Sequence, residues 1–344
     1  MKSSQTKTSL ATACGLVGAA VAFRSIVRAK RRIDFDNRTV IITGGSRGLG
    51  LCLARRFLDQ GANVAVCARD EAELAEARKE LNARGGASRV LAVQCDITSP
   101  PQMTGMIDGI IRHFGSLDVL VNNAGIIQVG PIEMMTIADF ERAMQTHFYA
   151  PLIAIEAALP QMRRQGGGRI VNITSIGGKV AVPHLVPYSA SKFALVGLSE
   201  SLRMELRRHN IYVTTVCPGL MRTGSPRHAE FKGQHQKEHA WFATSDVLPI
   251  VTIDADRMAK RIINATQHGQ AELITPWIAN LQAKVYGLMP GVMGEMLGCA
   301  NDMLPRPGGI GRRSAKGYDS DRLQPELARQ RNEAAAQRNN EVAR

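Results

Sequence analysis

Tyr188 and Lys192 stand four residues apart in the run Tyr188-Ser189-Ala190-Ser191-Lys192, directly after Pro187. Proline favours the first turn of a helix, and an i, i+4 spacing puts both side chains on one helix face. A phenol titrates near 10 and is a poor base at neutral pH. A neighbouring ammonium and a cationic ring favour the phenolate and bring it into a useful range. Ser175, at the end of the run Arg169–Thr174, can reach the same point and hydrogen-bond a substrate oxygen. Together the three can move a proton to or from that oxygen.

A second cluster has the chemistry of an anion seat. Thr43-Gly44-Gly45-Ser46-Arg47-Gly48-Leu49-Gly50 follows a β-branched run and opens a helical one. Gly44 lets the chain turn, Gly48 lets the backbone approach a pyrophosphate, and Gly50 permits close helix–strand packing. The helix N-terminus then holds the anion. An NAD-preferring site places an acid at the end of the second strand to bind the ribose 2′-hydroxyl. This chain has Cys67-Ala68-Arg69 there instead. Arg69 and Arg47 can form a guanidinium clamp on a 2′-phosphate, so the expected cofactor is NADP(H).

These residues need a scaffold that brings strand ends together. Thr39–Thr43, Asn63–Ala68, Arg89–Cys95, Leu117–Asn122, Arg169–Thr174, Ile211–Cys217 and Glu272–Thr275 read as seven strands. Amphipathic segments such as Leu49–Gln60, Glu71–Arg84 and Met103–Phe114 lie between them. Apolar strands alternating with helices imply a parallel sheet covered on both faces. Right-handed crossovers make it an α/β, Rossmann-type doubly wound sheet. The expected organisation is an anchor and basic linker over 1–37, a catalytic domain over 38–276, and an apolar extension and polar tail over 277–344. Residues 219–256, polar and His-rich, read as a substrate lid. The tail from Gln324 reads as a lone helix or as disorder.

Hydrophobic residues make up 44% of the 344-residue chain and charged residues 21%, which excludes wholesale disorder. The net charge of +13 is concentrated in the tails. Residues 1–38 carry 8 basic and 2 acidic side chains, and 301–344 carry 9 and 6, leaving 26 against 22 between them. With aromatics at 5%, a nucleic-acid surface is not expected. The six cysteines show no CxxC and no metal-ligand spacing, which fits a reducing compartment.

Leu10–Val27 is an apolar stretch of 18 residues if Arg24 snorkels, at the short edge of a bilayer span. Lys2 and Lys7 precede it, and Arg24, Arg28, Lys30, Arg31 and Arg32 follow. As a single span it puts the catalytic domain on the cytoplasmic side. A peripheral helix on anionic lipid and a cleaved signal ending at Ala20-Val21-Ala22 are the competing readings.

From about residue 38 to 276 the chain resembles the short-chain dehydrogenase/reductase family, in its subgroup with a YxxxK site. The matching marks run in order: the TGxxxGxG turn (Thr43–Gly50), Asp96 after the third strand, Asn122-Asn123-Ala124-Gly125, Ser175, Tyr188 with Lys192, and Pro218-Gly219 followed by Thr223. The resemblance implies that Tyr188 is the general acid/base, that Ser175 polarises the carbonyl or alcohol, and that Lys192 holds the ribose and lowers the tyrosine pKa. It implies that Asp96 and Ile97 contact the adenine, that Asn123–Gly125 contacts the adenosine half, and that Pro218–Thr223 contacts the nicotinamide carboxamide. Hydride then passes between C4 of the nicotinamide and an alcohol or carbonyl carbon.

One position departs from the family. An Asn commonly precedes the serine by about 28 residues in a proton relay, and this chain has His147 there. Imidazole can relay protons, or His147 can hold the helix backbone or a bound water.

The Gly178-Lys179-Val180 to Tyr188 stretch looks most like hydroxysteroid- and retinol-type members. With Leu185, Val186, Leu220 and Met221 near the site, the Met-rich stretch after Pro276 and the N-terminal segment, it points to a lipophilic substrate: steroid-, retinoid- or fatty-chain-like. The family pairs through helices beginning near Phe140 and Pro187, so a homodimer or homotetramer is expected. The competing reading is a non-catalytic nucleotide sensor or scaffold on the same fold. His235-Gln236-Lys237-Glu238-His239 matches a zinc-protease spacing, but reads as a lid helix whose His and Lys face water.

Overall fold

The computed structural model describes Ala22 and residues 25–245 and 252–342. Most of the apolar N-terminal stretch therefore lies outside the described residues. Among the described residues no helix is long and apolar enough to cross a membrane.

Seven strands form one parallel sheet: β1 (Thr39–Thr43), β2 (Asn63–Ala68), β3 (Val90–Gln94), β4 (Val119–Asn122), β5 (Gly168–Ile173), β6 (Ile211–Pro218) and β7 (Glu272–Thr275). Their order is β3-β2-β1-β4-β5-β6-β7, with every neighbouring pair parallel. The helices of the doubly wound layers are α1 (Gly48–Leu58), α2 (Glu71–Gly85), α3 (Pro100–Phe114), α4 (Ile137–Met144), α5 (Ala150–Arg164), α6 (Val186–Leu206) and, after the lid, α8 (Ala255–Gln267). Because side chains alternate across a strand, Val40 and Ile42 of β1 enter the core shared with α1 and α8. Ile41 enters the opposite core with α3 and α5. Both faces are thus covered, and strand order reverses between β1 and β4. The ends of those two strands mark the crevice where such sheets bind ligands.

Residues 219–256 are closed on themselves by the pairing of Leu220–Arg222 with Thr252–Asp254 and are sewn to the rest of the domain where Glu230–Phe231 pairs with Gln128–Val129 and with Ala315–Lys316. A buried ion pair, Lys232 to Asp139 at 2.5 Å, fixes the same segment. In the helix α7 (His235–Ser245) Lys237 faces water as the sequence leads one to expect, but His239 does not. Glu238 is fully buried and takes hydrogen bonds from His184 and Trp241, and His239 is also buried.

Beyond β7, α9 (Trp277–Leu288) and α10 (Pro290–Asn301) bury only Ala279 and Met293, leaving Leu288 and Met296 exposed. The tail is neither a lone helix nor disordered through residue 342. Its helix α11 (Glu326–Arg338) packs against the lid, with Asn332 donating to the Ala243 carbonyl.

Candidate active site

The glycine turn leaves β1 and enters α1 with no acidic side chain in the helix's first turn. Gly48 has φ +56°, a left-handed conformation that disfavours any side chain. A Cβ on Gly50 would stand 2.1 Å from the Gly44 carbonyl oxygen, so only glycine lets the helix begin this close to the strand end. Thr43 and Asn123 lock the turn to the loop after β4. Thr43 Oγ1 accepts the Asn123 and Ala124 N–H groups at 3.0 and 3.2 Å, and Asn123 Nδ2 donates to the Thr43 and Gly44 carbonyls at 3.0 Å each. Gly44, Gly48, Leu49, Gly50, Asn123 and Gly125 are therefore brought to one crevice.

The two candidate phosphate-binding arginines differ. Arg69 is exposed just past β2. Arg47 is held by Glu73 at 2.7 Å and lies 3.3 Å from Glu341. Ser46 is buried and also donates to Glu73, at 3.2 Å. Asp96 folds back on its own turn, accepting from the Thr98 N–H and hydroxyl at 2.9 and 2.8 Å, and these bonds hold its carboxyl below the usual range against the opposing effect of burial. Ile97 beside it is buried. Pro218 ends β6 opposite Thr275, and Thr223 is buried with its hydroxyl accepting the Ser225 N–H at 3.1 Å.

Tyr188 and Lys192 lie on α6, whose first turn holds Pro187. Lys192 Nζ is 5.6 Å from the centroid of the Tyr188 ring and donates to the Ile173 carbonyl at 3.0 Å. Burial pushes the Lys192 ammonium down to about 7. Ser175 follows β5, its Oγ accepting the Gly177 N–H at 3.0 Å. A Cβ on Gly177 would lie 3.3 Å from the Tyr188 ring and 3.5 Å from Ser175 Oγ, so the two side chains flank the same bare glycine. Ser175, Tyr188 and Lys192 thus converge above the ends of β5 and α6.

His147 sits in a π turn, Gln145–Tyr149, between α4 and α5. Its Nδ1 is 2.7 Å from Ser191 Oγ, and its Nε2 accepts the Ile126 N–H at 3.1 Å. Burial first, and then the Lys192 charge, hold it well below the ordinary histidine range. Both ring nitrogens are engaged by the fold.

Sequence reasoning missed two supports. Asn122, Asn172 and Ser199 form a buried chain across β4, β5 and α6, with 2.8 Å links. The other is Glu73, whose signal was available. Asp70 caps α2 by accepting the Glu73 N–H, a pattern that places Glu73 in the first turn beside the glycine loop.

The short chain dehydrogenase family model matches residues 38–232. The chain is 31% identical over 265 residues to an oxidoreductase named SadH of Mycobacterium tuberculosis, covering 76% of this chain and 93% of that protein. It is 36% identical over 217 residues to dehydrogenase/reductase SDR family member 7B of Bos taurus, covering 61% of this chain and 66% of the relative. It is 35% identical over 230 residues to a ketoacyl reductase of Streptomyces coelicolor, covering 66% and 83%. Among solved structures, a short-chain dehydrogenase from Streptomyces avermitilis superposes with a TM-score of 0.65 at 29% identity, covering 77% of this chain and 96% of that one.

Proposed function

The chain belongs to the short-chain dehydrogenase/reductase family, oxidoreductases that use a nicotinamide dinucleotide, and on that premise we propose that it interconverts a secondary alcohol and a carbonyl on a lipophilic substrate with NADP(H). The observation that carries this reading is that Ser175 and Tyr188 flank Gly177 while Lys192 Nζ stands 5.6 Å from the centroid of the Tyr188 ring.

The residues of the turn fit the dinucleotide. Gly48, at φ +56°, and the close start of α1 that Gly50 permits bring the N-terminus of α1 to the end of β1, where it favours an anion. Gly44, Ser46, Leu49, Asn123, Gly125, Asp96, Ile97, Pro218 and Thr223 line the rest of the path. The bound nicotinamide supplies or accepts the hydride. Tyr188 Oη holds the proton that joins or leaves the substrate oxygen. Ser175 Oγ donates a hydrogen bond to that oxygen and polarises it. Lys192 in its charged form favours the Tyr188 phenolate, and His147 keeps the loop after β4 against α6.

NADP(H) is favoured by the absence of an acid at Cys67 and Ala68 and by the exposed Arg69 at the end of β2. The lipophilic substrate is favoured by the apolar cluster around Tyr188, namely Val182, Leu185, Trp241 and Phe242. The ketoacyl reductases among the relatives favour a fatty-chain-like member of that class. The reading includes a membrane anchor at residues 10–27. It also includes pairing of two or four copies through the helices that expose Ile137 and Met204.

Tyr188→Phe tests the reading. Turnover of a lipophilic ketone with NADPH should disappear while NADPH binding by fluorescence persists. Retained function in the variant would establish the non-catalytic alternative. Equal binding or a preference for NADH would remove the NADP(H) assignment, and an NADPH preference that Arg69→Ala leaves unchanged would remove Arg69 as its source. Fractionation before and after deletion of residues 1–32 tests the anchor, and full solubility of the intact chain would remove it.

A further inference from the structure

The end of the described chain lies on the glycine turn. Past α11, the Asn339 carbonyl accepts the Gly48 N–H at 2.8 Å. The Asn339 side chain donates to the Thr223 carbonyl at 3.1 Å and accepts from Cys52 Sγ at 3.4 Å. Asn340 donates to the carbonyls of Ser46 and Glu73 at 3.0 and 3.2 Å. The segment therefore spans the crevice from the glycine turn to the loop after β6.

Glu341 is the centre of this contact. It is 4% exposed, and its Oε1 lies 2.7 Å from where a Cβ on Gly48 would stand. Its Oε2 is 3.3 Å from both Arg47 Nε and His228 Nε2 but makes no hydrogen bond. Burial pushes the carboxyl up to about 7; the Arg47 charge opposes the rise and the Glu73 charge adds to it. A buried carboxylate short of partners is costly unless a fixed positive field offsets it. The N-terminus of α1 and Arg47 supply part of that field, and Glu73 opposes it. The face that the glycine keeps clear for a pyrophosphate is therefore filled by an anion from the chain itself.

We propose that residues 339–342 are an internal competitor for the dinucleotide: the Glu341 carboxylate takes the anion seat of the glycine turn, and cofactor binds only when the segment leaves. The proposal rests on the glycine turn being the dinucleotide site. Apparent affinity then falls by the fraction of molecules whose turn is open. His228 and Arg47 act as the latch, since both face the carboxylate from different elements. Asn340 adds two hydrogen bonds that must be given up on opening.

The test titrates NADPH and NADH, by fluorescence, into the full chain, Glu341→Gln, and a chain shortened to residue 338. Glu341→Gln removes only the charge and covers the case in which the shortened chain fails to fold. In parallel, carboxypeptidase digestion of the full chain is followed with and without saturating NADPH. Release of the competitor should tighten both dinucleotides by about tenfold, and NADPH should accelerate loss of the C-terminal residues. Unchanged or weaker binding in the variants, with NADPH protecting the segment, would overturn the proposal and leave the dinucleotide site standing. No binding of either dinucleotide by any form would remove the site itself and the proposal with it.

Discussion

His147 Nδ1 and Ser191 Oγ are joined across 2.7 Å, and the direction of that bond is fixed by the next one along. The Ser191 hydroxyl donates to the Tyr188 carbonyl at 2.8 Å, so its oxygen accepts from His147 Nδ1–H. Nε2 then has only a lone pair to offer, and it accepts the Ile126 N–H. His147 is the neutral Nδ1–H tautomer, a rivet between the loop after β4, the π turn and the second turn of α6.

Protonating that ring puts a proton on Nε2 where Ile126 already donates. The folded pKa lies well below 6.5, so the unfolded chain binds more protons below that pH. The contribution of His147 to stability is therefore complete above pH 6.5 and is lost progressively as pH falls from there toward the folded value. Urea unfolding at pH 5, 6 and 7 should show stability falling with acid, with a shallower fall in His147→Gln. His147→Ala should cost about 1–3 kcal/mol at pH 7 by leaving the part-buried Ile126 N–H without an acceptor and the Ser191 oxygen without its donor. An identical acid slope in the parent and the Gln variant would show that other groups carry it.

The seven strands and the Ser–Tyr–Lys set were legible because each is a local signal. Apolar runs end at turn glycines, and i, i+4 spacing puts Tyr188 and Lys192 on one face. The role of His147 was not legible: its ring bonds the Ile126 N–H, in the loop after β4, and the Ser191 hydroxyl on α6, and neither is the helix-backbone group or the water that the sequence reading offered it. The expectation that His239 faces water failed, and the burial of Glu238 went unread, because a pattern of five residues says nothing about what packs on it. The partner of Glu238, His184, is 54 residues away. The same limit hid Glu341, which meets Arg47 from the far end of the chain.

Gly50→Ala should abolish the glycine turn. The added carbon would meet the Gly44 carbonyl at 2.1 Å and Asn123 Nδ2 at 2.7 Å. The first of these is backbone and has nowhere to move without parting β1 from α1. Thermal melting should show a loss of about 3 kcal/mol or more, with no measurable dinucleotide binding in the folded fraction. A variant with parental melting and binding would mean that α1 can pivot away from the strand.

Lys192→Met should stabilise the cofactor-free protein while removing its activity. The parental ammonium titrates near 7 instead of 10.5 because it is buried. The unfolded chain thus binds more protons between pH 7 and 10.5, and stability rises across that window as pH rises. Methionine carries no charge to desolvate, at the expense of the hydrogen bond to the Ile173 carbonyl. The balance should leave the variant about 1–2 kcal/mol more stable at pH 7, with the gap closing toward pH 10. Urea titrations at pH 6, 7 and 9.5 measure this directly. A variant less stable than the parent at pH 6 would show that the ammonium is compensated in the folded state.

Glu238→Ala should loosen the lid helix from the loop that leads into Tyr188. The fully buried carboxylate accepts from His184 Nδ1 at 2.9 Å and from Trp241 Nε1 at 2.8 Å. His184 holds φ +60° and in turn accepts the Gly130 N–H on its carbonyl. Without Glu238 two donors lose their acceptor, and the strained His184 backbone loses the contact that holds it. Unfolding free energy should fall by about 2–4 kcal/mol, and Trp241 should become wetter. Trp277 is 67% exposed and is the only other tryptophan in the chain, so a Trp277→Phe background isolates the lid signal. A red-shifted emission together with the stability loss is the expected result. Parental emission with parental stability would show that α7 is held by Phe231 and Phe242 packing alone.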